Sequence, residues 1–284
     1  MALPGQRRDA QRKLDPMSAD PEARGSPDLR LTYIGGPTLL LELGGLRLLT
    51  DPTFDPAGSS YPTPVYVLRK TQGPAVTPES LGRVDAVLLS HDHHFDNLDH
   101  AGRALLARAG RVLTTDAGAA RLGGNASGLA PWQTVELTTR DGRMLRVTAT
   151  PARHGPADGD RGPVTGFVLA FADAPDHAIY ISGDTVWYDG VAAVAGRFAV
   201  EVAVLFMGAA RVREVGPAHL TLTADEAVTA ARALGGAIVI PLHFEGWEHF
   251  SESRAEVTRA FAAAGLEHRL RWLEPGRATV IPGM

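Results

Sequence analysis

The feature that most constrains this chain is where its histidines and aspartates fall: each lies a few residues beyond a short, apolar, strand-like run. Val84 to Leu89 leads into Ser90-His91-Asp92-His93-His94-Phe95-Asp96-Asn97-Leu98-Asp99. Met144 to Thr150 precedes His154, Ala178 to Ile181 precedes Ser182-Gly183-Asp184, and Ala237 to Ile240 precedes Pro241-Leu242-His243. In layered α/β proteins the loops at the C-terminal ends of strands carry the chemistry. Strands laid side by side would bring these ends to one rim, so that four distant segments build a single site on a rigid frame. Neutral imidazole nitrogens and carboxylate oxygens are the donors that hold zinc and similar divalent ions. The pattern therefore points to metal-dependent chemistry.

Composition narrows the alternatives. The chain has no cysteine, which excludes a disulfide framework, a thiolate ligand and a cysteine nucleophile, so any metal must be held by His, Asp or Glu. Acidic residues number 32 against 28 basic ones, with no dense Lys/Arg run beyond the start, so capture of nucleic acid or an anionic membrane is not favoured and a small-molecule substrate is expected. Met1 to Asp28, rich in Arg, Asp, Pro and Ser, reads as a flexible N-terminal tail without the apolar core of a signal peptide. Residues 29–284 read as one domain. No run approaches the ~18 apolar residues of a membrane span, and a cytoplasmic location is expected. The oligomeric state is left open.

Along the body, Leu29 to Ile34, Thr38 to Leu43 and Leu46 to Thr50 read as consecutive antiparallel strands, with Gly44-Gly45 turning between the last two. Ala101 to Ala109 reads as a helix, Val112 to Thr115 as a strand, Val164 to Ala172 with Ala178 to Ile181 as a strand pair, and Val202 to Phe206 as a buried strand. Thr223 can cap a helix that continues through Ala227 to Leu234 while Glu226 reaches back, and Arg254 to Ala264 is the last long helix.

Taken singly, several of these residues have ordinary explanations. His154 alone would be a loop histidine, and Asp184 could cap a helix suggested by Tyr188 to Ala195. Asp51 could fix the turn before Pro52, although a role hydrogen-bonded to the ligand loop is favoured. His243 could be a core histidine, but it follows an apolar strand and Pro241. His219, ahead of a helix N-terminus, divides evenly between substrate contact and packing. His100, His177, His249 and His268 read as surface or loop residues, and Trp187, Tyr188 and Trp247 as candidate pocket walls. Gly155 to Pro163, with repeated Gly, Pro and Asp, reads either as a flap over the site or as an exposed connection.

The ordered set resembles the metallo-β-lactamase fold superfamily, and within it the branch of ascorbate-6-phosphate lactonase-like and N-acyl-phosphatidylethanolamine phospholipase D-like hydrolases. Gly35-Gly36-Pro37-Thr38, Thr50-Asp51-Pro52 and Gly216-Pro217-Ala218-His219-Leu220-Thr221 support the likeness from Leu29 onward. The resemblance implies an α/β fold of four layers, an αβ/βα sandwich with the metal site along one edge. The family motif His-x-His-x-Asp-His is departed from, because the stretch from His91 to Asp99 is one residue longer. Aligned backward from Leu98-Asp99, Asp96 takes the family's Asp, Asn97 its last His and His94 its second His, leaving His91 or Asp92 for the first slot. Aligned forward, His91 and His93 form the pair.

On the preferred backward alignment, the resemblance implies a first metal position from His91, His94 and His154, bridged by Asp184, and a second from Asp96, Asp184 and His243. Asn97 would replace the usual histidine there, and an amide oxygen is the weaker donor, so one ion is expected to bind firmly and the second more weakly. Zinc is the foremost candidate, with manganese and iron(II) left open. The implied activity is hydrolysis of an ester, lactone or phosphodiester by metal-bound hydroxide, with Asp96 handling the proton and His219 contacting developing charge. The competing readings are a non-catalytic metal-binding protein and, more weakly, a nuclease.

Overall fold

The computed structural model describes Met1, residues 28–158 and residues 161–284. The expected tail, apart from Met1 and Asp28, and residues 159–160 of the expected flap lie outside the described residues. In chain order the elements are β1 Leu29–Gly35, β2 Thr38–Leu43, β3 Leu46–Thr50, β4 Ser60–Pro62, β5 Val67–Arg69, β6 Ala86–Leu88, α1 His100–Leu106, β7 Val112–Thr114, α2 Asp116–Leu122 and β8 Ala126–Gly128. They continue with β9 Thr134–Thr138, β10 Met144–Pro151, β11 Thr165–Phe171, β12 Ala174–Ile181, α3 Asp189–Ala195, β13 Val200–Phe206, α4 Ala224–Ala233, β14 Ile238–Leu242, α5 Arg254–Ala263 and β15 Ala278–Ile281.

Two sheets face each other. One runs in the order β15-β1-β2-β3-β6-β7-β8 and the other β14-β13-β12-β11-β10-β9, while β4 and β5 form a small separate ribbon. The β2–β3 hairpin closes through Gly44 and Gly45, whose φ angles of 56° and 78° are left-handed, the conformation a tight hairpin needs and glycine adopts without steric cost. Within each sheet an antiparallel half passes into a parallel half: β3, β6, β7 and β8 run together, as do β12, β13 and β14. Because β11 is antiparallel to both β10 and β12, those two also share a direction.

The layers follow from the two-residue period of the strands. In β11, Phe167, Leu169 and Phe171 point into the core between the sheets, while Val168 and Ala170 point outward beneath helices. In β13, Val202, Val204 and Phe206 face inward while Ala203 and Leu205 pack with Val191 and Val194 of α3, Ala227 and Ala231 of α4, and Phe261 of α5. On the other sheet Leu49 and Val87 meet Leu105 and Leu106 of α1. Strands buried on both faces need apolar residues at every position, which is why β11 reads as a continuous hydrophobic run. The result is the αβ/βα sandwich.

Helix ends are set by local chemistry. Thr223 Oγ1 accepts from Glu226 N and Ser253 Oγ from Ala255 N, while the Glu226 and Glu256 carboxylates accept from the backbone N–H of Thr223 and Ser253, so both α4 and α5 begin with a capping box. Asp184 caps no helix; α3 begins after Tyr188, which makes no side-chain cap. Helix α2 is absent from the sequence reading: it is seven residues long, rich in Ala and Gly, and held by the Thr115 side chain accepting from Gly118 N, too short for an apolar period to show. Strand β14 continues through Pro241 because it is an edge strand, where a missing N–H removes no ladder bond.

Candidate metal centre

Five chain segments reach one edge of the sandwich at strand C-termini: Asp51 after β3, His91 after β6, His154 after β10, Asp184 after β12 and His243 after β14. Backbone bonds tie the two sheets together at this edge, from Thr165 N to Ser90 O at 3.1 Å and from His243 N to Gly36 O at 3.0 Å. Gly183, at φ 60°, and His243, at φ 53°, turn their chains sharply beside the ligands. For His243, a residue with a Cβ, that geometry is strained and is held by the surrounding fold.

The six candidate ligands form two groups, His91 with His94 and His154, and Asp96 with Asp184 and His243, and within each group the donor atoms lie within 4.8 Å of one another. In the first group His94 Nδ1 is 2.9 Å from His91 Nε2 and 3.1 Å from His154 Nε2. Each flanking imidazole is oriented from behind: His91 Nδ1 lies 2.9 Å from Ser90 Oγ, and His154 Nδ1 donates to Leu220 O at 2.8 Å. That bond places the His154 proton on Nδ1 and leaves the Nε2 lone pair facing the cluster. Burial, with the neighbouring imidazoles adding to it, pushes His91 well below its ordinary pKa and His94 down to about 3. His91 and His94 are therefore neutral, the form that binds metal without first losing a proton.

The second group is charged. Asp184 joins the two, with Oδ2 3.5 Å from His154 Nε2 and Oδ1 3.5 Å from His243 Nε2. Burial would depress His243, but the Asp184 and Asp96 carboxylates outweigh it and raise the imidazole to about 10. Burial likewise pushes Asp96 and Asp184 up, and their histidine partners more than reverse this. Both Asp184 oxygens and both His243 ring nitrogens are buried with no hydrogen-bond partner among the described residues. Leaving such groups unpaired costs about 1–3 kcal/mol apiece. An oxygen and nitrogen donor set of this kind, imidazoles on one side and two carboxylates with an imidazole on the other, fits divalent cations.

A supporting layer fixes the loop from His91 to Asp99. Asp51 Oδ1 accepts from Ser90 N at 2.9 Å and from Ser90 Oγ at 2.7 Å, so Asp51 acts on His91 through Ser90. Burial, aided by the Asp184 charge, pushes the Asp51 carboxyl up to about 8. Asp99 caps α1 through Gly102 N, accepts from Phe54 N and Asp55 N, and pairs with the buried Lys70 at 2.8 Å. α1 can sit this close to the Asp51-Pro52 turn because position 102 is glycine, where a Cβ would fall 1.8 Å from Pro52 O.

The loop separates the alternatives left open by its extra residue. His91 and His94 face the cluster, whereas His93 Nε2 bonds Arg161 O at 2.7 Å and Asp92 pairs with Arg121. Asn97 is buried, with Nδ2 3.4 Å from Ser90 Oγ and Oδ1 without a hydrogen-bond partner among the described residues. His219 lies outside both groups, its Nε2 3.0 Å from Glu226 Oε2, next to the Leu220 carbonyl that orients His154. Trp187 and Tyr188 pack with the helix-side cluster, and Trp247 with Tyr61 and Leu68. The residue that sequence reasoning set aside is His249, whose Nε2 is 3.0 Å from Asp96 Oδ2. Its only signal is its setting in Trp247-Glu248-His249-Phe250, a histidine between aromatic residues.

A family profile described as the beta-lactamase superfamily domain matches residues 46–244, which take in His91, His94, Asp96, His154, Asp184 and His243. The chain belongs to the beta-lactamase superfamily. Within that superfamily, a metal-dependent hydrolase of Opitutus terrae is 32% identical over 229 residues, covering 76% of this chain and 85% of that protein. The protein YddR of Bacillus subtilis is 25% identical over 88% of this chain and 99% of its own length. Among solved structures, an isothiocyanate hydrolase from Delia radicum gut bacteria has a TM-score of 0.76 and 26% identity, covering 89% of this chain and all of that one, 100%. A possible metal-dependent hydrolase of Veillonella parvula has the same TM-score of 0.76 at 18% identity over 91% of this chain and 100% of its own, a likeness of fold. At the coarse level of metal-dependent hydrolase, this superfamily member stands with its relatives.

Proposed function

We propose that the two groups hold divalent metal, zinc foremost, and that the enzyme hydrolyses a carbon-centred electrophile, an ester or lactone, in a small and largely apolar molecule. The observation that carries this is the convergence of six donors from four segments at one sheet edge, with the side-chain polar atoms of Asp184 and His243 buried and without a hydrogen-bond partner among the described residues. A divalent cation bound there lowers the pKa of its water from about 15.7 to about 7 and polarises a carbonyl oxygen.

The chain's own residues complete the chemistry. Asp96 retains some exposure, 8% of its side chain against 0% for Asp184, so it is the carboxylate able to take a proton from an attacking water and return it to a leaving group. His219, held by Glu226, flanks the site as the contact for charge developing on the substrate. The apolar preference is supported by half-buried Tyr66, Phe95 and Phe250, with Phe250 meeting the His243 ring edge-on at a centroid distance of 4.9 Å. The structural relative named for isothiocyanate hydrolysis also acts at carbon, which favours that bond class over phosphorus.

Small-molecule turnover distinguishes the readings. The protein is assayed on a panel of lactones, aryl esters, isothiocyanates and phosphodiesters before and after chelation, with zinc, manganese or iron(II) added back. Chelator-sensitive turnover of carbon electrophiles is expected. A preference for phosphodiesters overturns the bond assignment, and metal binding without turnover of any compound leaves a binding protein.

A further inference from the structure

On the backward alignment of the His91 to Asp99 stretch, Asn97 stands where the resemblance implies a histidine, and the fold brings another histidine to the neighbouring Asp96 carboxylate. His249 lies six residues beyond His243, in the loop that leaves β14. Its Nε2 is 3.0 Å from Asp96 Oδ2, the oxygen that also lies 3.6 Å from His243 Nε2. Asp96 Oδ2 thus has an imidazole nitrogen within 3.6 Å on each of two chain segments, His249 standing next to the group of Asp96, Asp184 and His243 whose donors lie within 4.8 Å of one another, and Asp184 Oδ1 lies 3.5 Å from His243 Nε2.

His249 is placed there by its loop. Arg211 N donates to His249 O at 2.8 Å, Ser251 N donates to Gly208 O at 2.9 Å, and Ser251 Oγ donates to Ala209 O at 2.6 Å. The ring packs on Phe250, with centroids 4.6 Å apart, and its side chain is 9% exposed. A buried, loop-anchored histidine aimed at a ligand carboxylate meets the requirements of a preorganised donor. Asn97 does not compete: its nitrogen faces Ser90 Oγ, and an amide oxygen is a weaker donor for zinc than imidazole.

We propose that His249 replaces the missing histidine as a ligand of the second metal position, which is then built from Asp96, Asp184, His243 and His249. The second ion is accordingly held firmly despite Asn97. This rests on the metal-bearing reading of the site, and its test separates the two.

Wild-type protein, His249→Ala, Asn97→Ala and the double variant His249→Ala/Asn97→His are stripped with chelator. Each is then titrated with Zn2+ and Co2+ by calorimetry, with elemental analysis after gel filtration and visible spectra of the cobalt forms. Thermal melting checks the fold of each, and His249→Gln, which keeps a neutral donor, serves if the alanine variant does not fold. The expected result is two ions in wild type and Asn97→Ala, with the second weakened at least roughly 10-fold and its cobalt bands altered in His249→Ala. Recovery of the second ion in the double variant would support the same assignment. A folded His249→Ala that binds both ions as wild type does, or an Asn97→Ala that loses the second ion as readily, overturns it. One ion in wild type, unaffected by His249→Ala, overturns this inference and leaves the proposed function standing, whereas no ion in wild type removes both.

Discussion

Replacing Ser90 with alanine isolates the contact that orients His91. The Ser90 hydroxyl lies 2.7 Å from Asp51 Oδ1 and 2.9 Å from His91 Nδ1, in a position fully shielded from solvent. Asp51 Oδ1 keeps its 2.9 Å bond from Ser90 N whether the carboxyl is ionised or not, so in Ser90→Ala it loses one of two partners. The His91 Nδ1 loses its partner outright, and a buried polar group left unpaired costs about 1–3 kcal/mol. Because ~1.4 kcal/mol is tenfold in affinity, the first metal position should weaken roughly 10- to 100-fold, the usual range for removing a contact behind a ligand. Calorimetric titration of stripped Ser90→Ala with zinc measures this, and denaturant unfolding of the metal-free protein should show a loss of about 1–2 kcal/mol. Asp51→Asn, which keeps the shape of the side chain, should weaken zinc in the same direction. Zinc affinity in a folded Ser90→Ala protein equal to wild type would mean that Ser90 does not orient the ligand.

Three further outcomes follow from the same geometry. In Gly183→Ala the new Cβ would lie 2.5 Å from Thr165 O and 2.9 Å from Ser90 Cβ at a left-handed φ of 60°; a loss of about 2–4 kcal/mol in unfolding free energy is expected, with zinc binding impaired through displaced Asp184, and a neutral substitution would contradict the packing. Lys70→Met strands the buried Asp99 carboxylate, which keeps bonds from Phe54, Asp55 and Gly102; about 3 kcal/mol of stability should be lost, and a more stable variant would show that the pair is dispensable. The metal-free protein should be most stable near neutral pH. His94, about 3 when folded against 6.5 in the open chain, stabilises the fold above 6.5 and loses that contribution as pH falls toward 3, whereas His243, raised to about 10, contributes below 6.5 and loses it as pH rises through 10. Melting temperatures of chelated protein that rose steadily across that range would refute this balance.

Much of the architecture is legible in the chain because its determinants are local. The strands β1, β2 and β3 and their Gly44-Gly45 turn, the run of β11, and the capping box of α4 are each specified within a few residues. Strand boundaries shift where pairing decides them: only Ala86–Leu88 of the expected Val84 to Leu89 pairs as a strand, opposite β3 and β7. The short elements β4, β5, β8 and α2 carry too little periodic signal to be read.

The amino-acid sequence by itself determined that His, Asp and no cysteine would supply any ligands, and that these would follow strand ends in a set order. Tertiary structure decided that His91 and His94 of the three neighbouring histidines turn inward, sends His93 to Arg161 and Asp92 to Arg121, and brings His249 onto Asp96. The reason is physical: strand and cap propensities act between near neighbours, whereas the direction of a loop side chain is set by backbone turns and by partners dozens of residues away, and these meet only once the two sheets have packed.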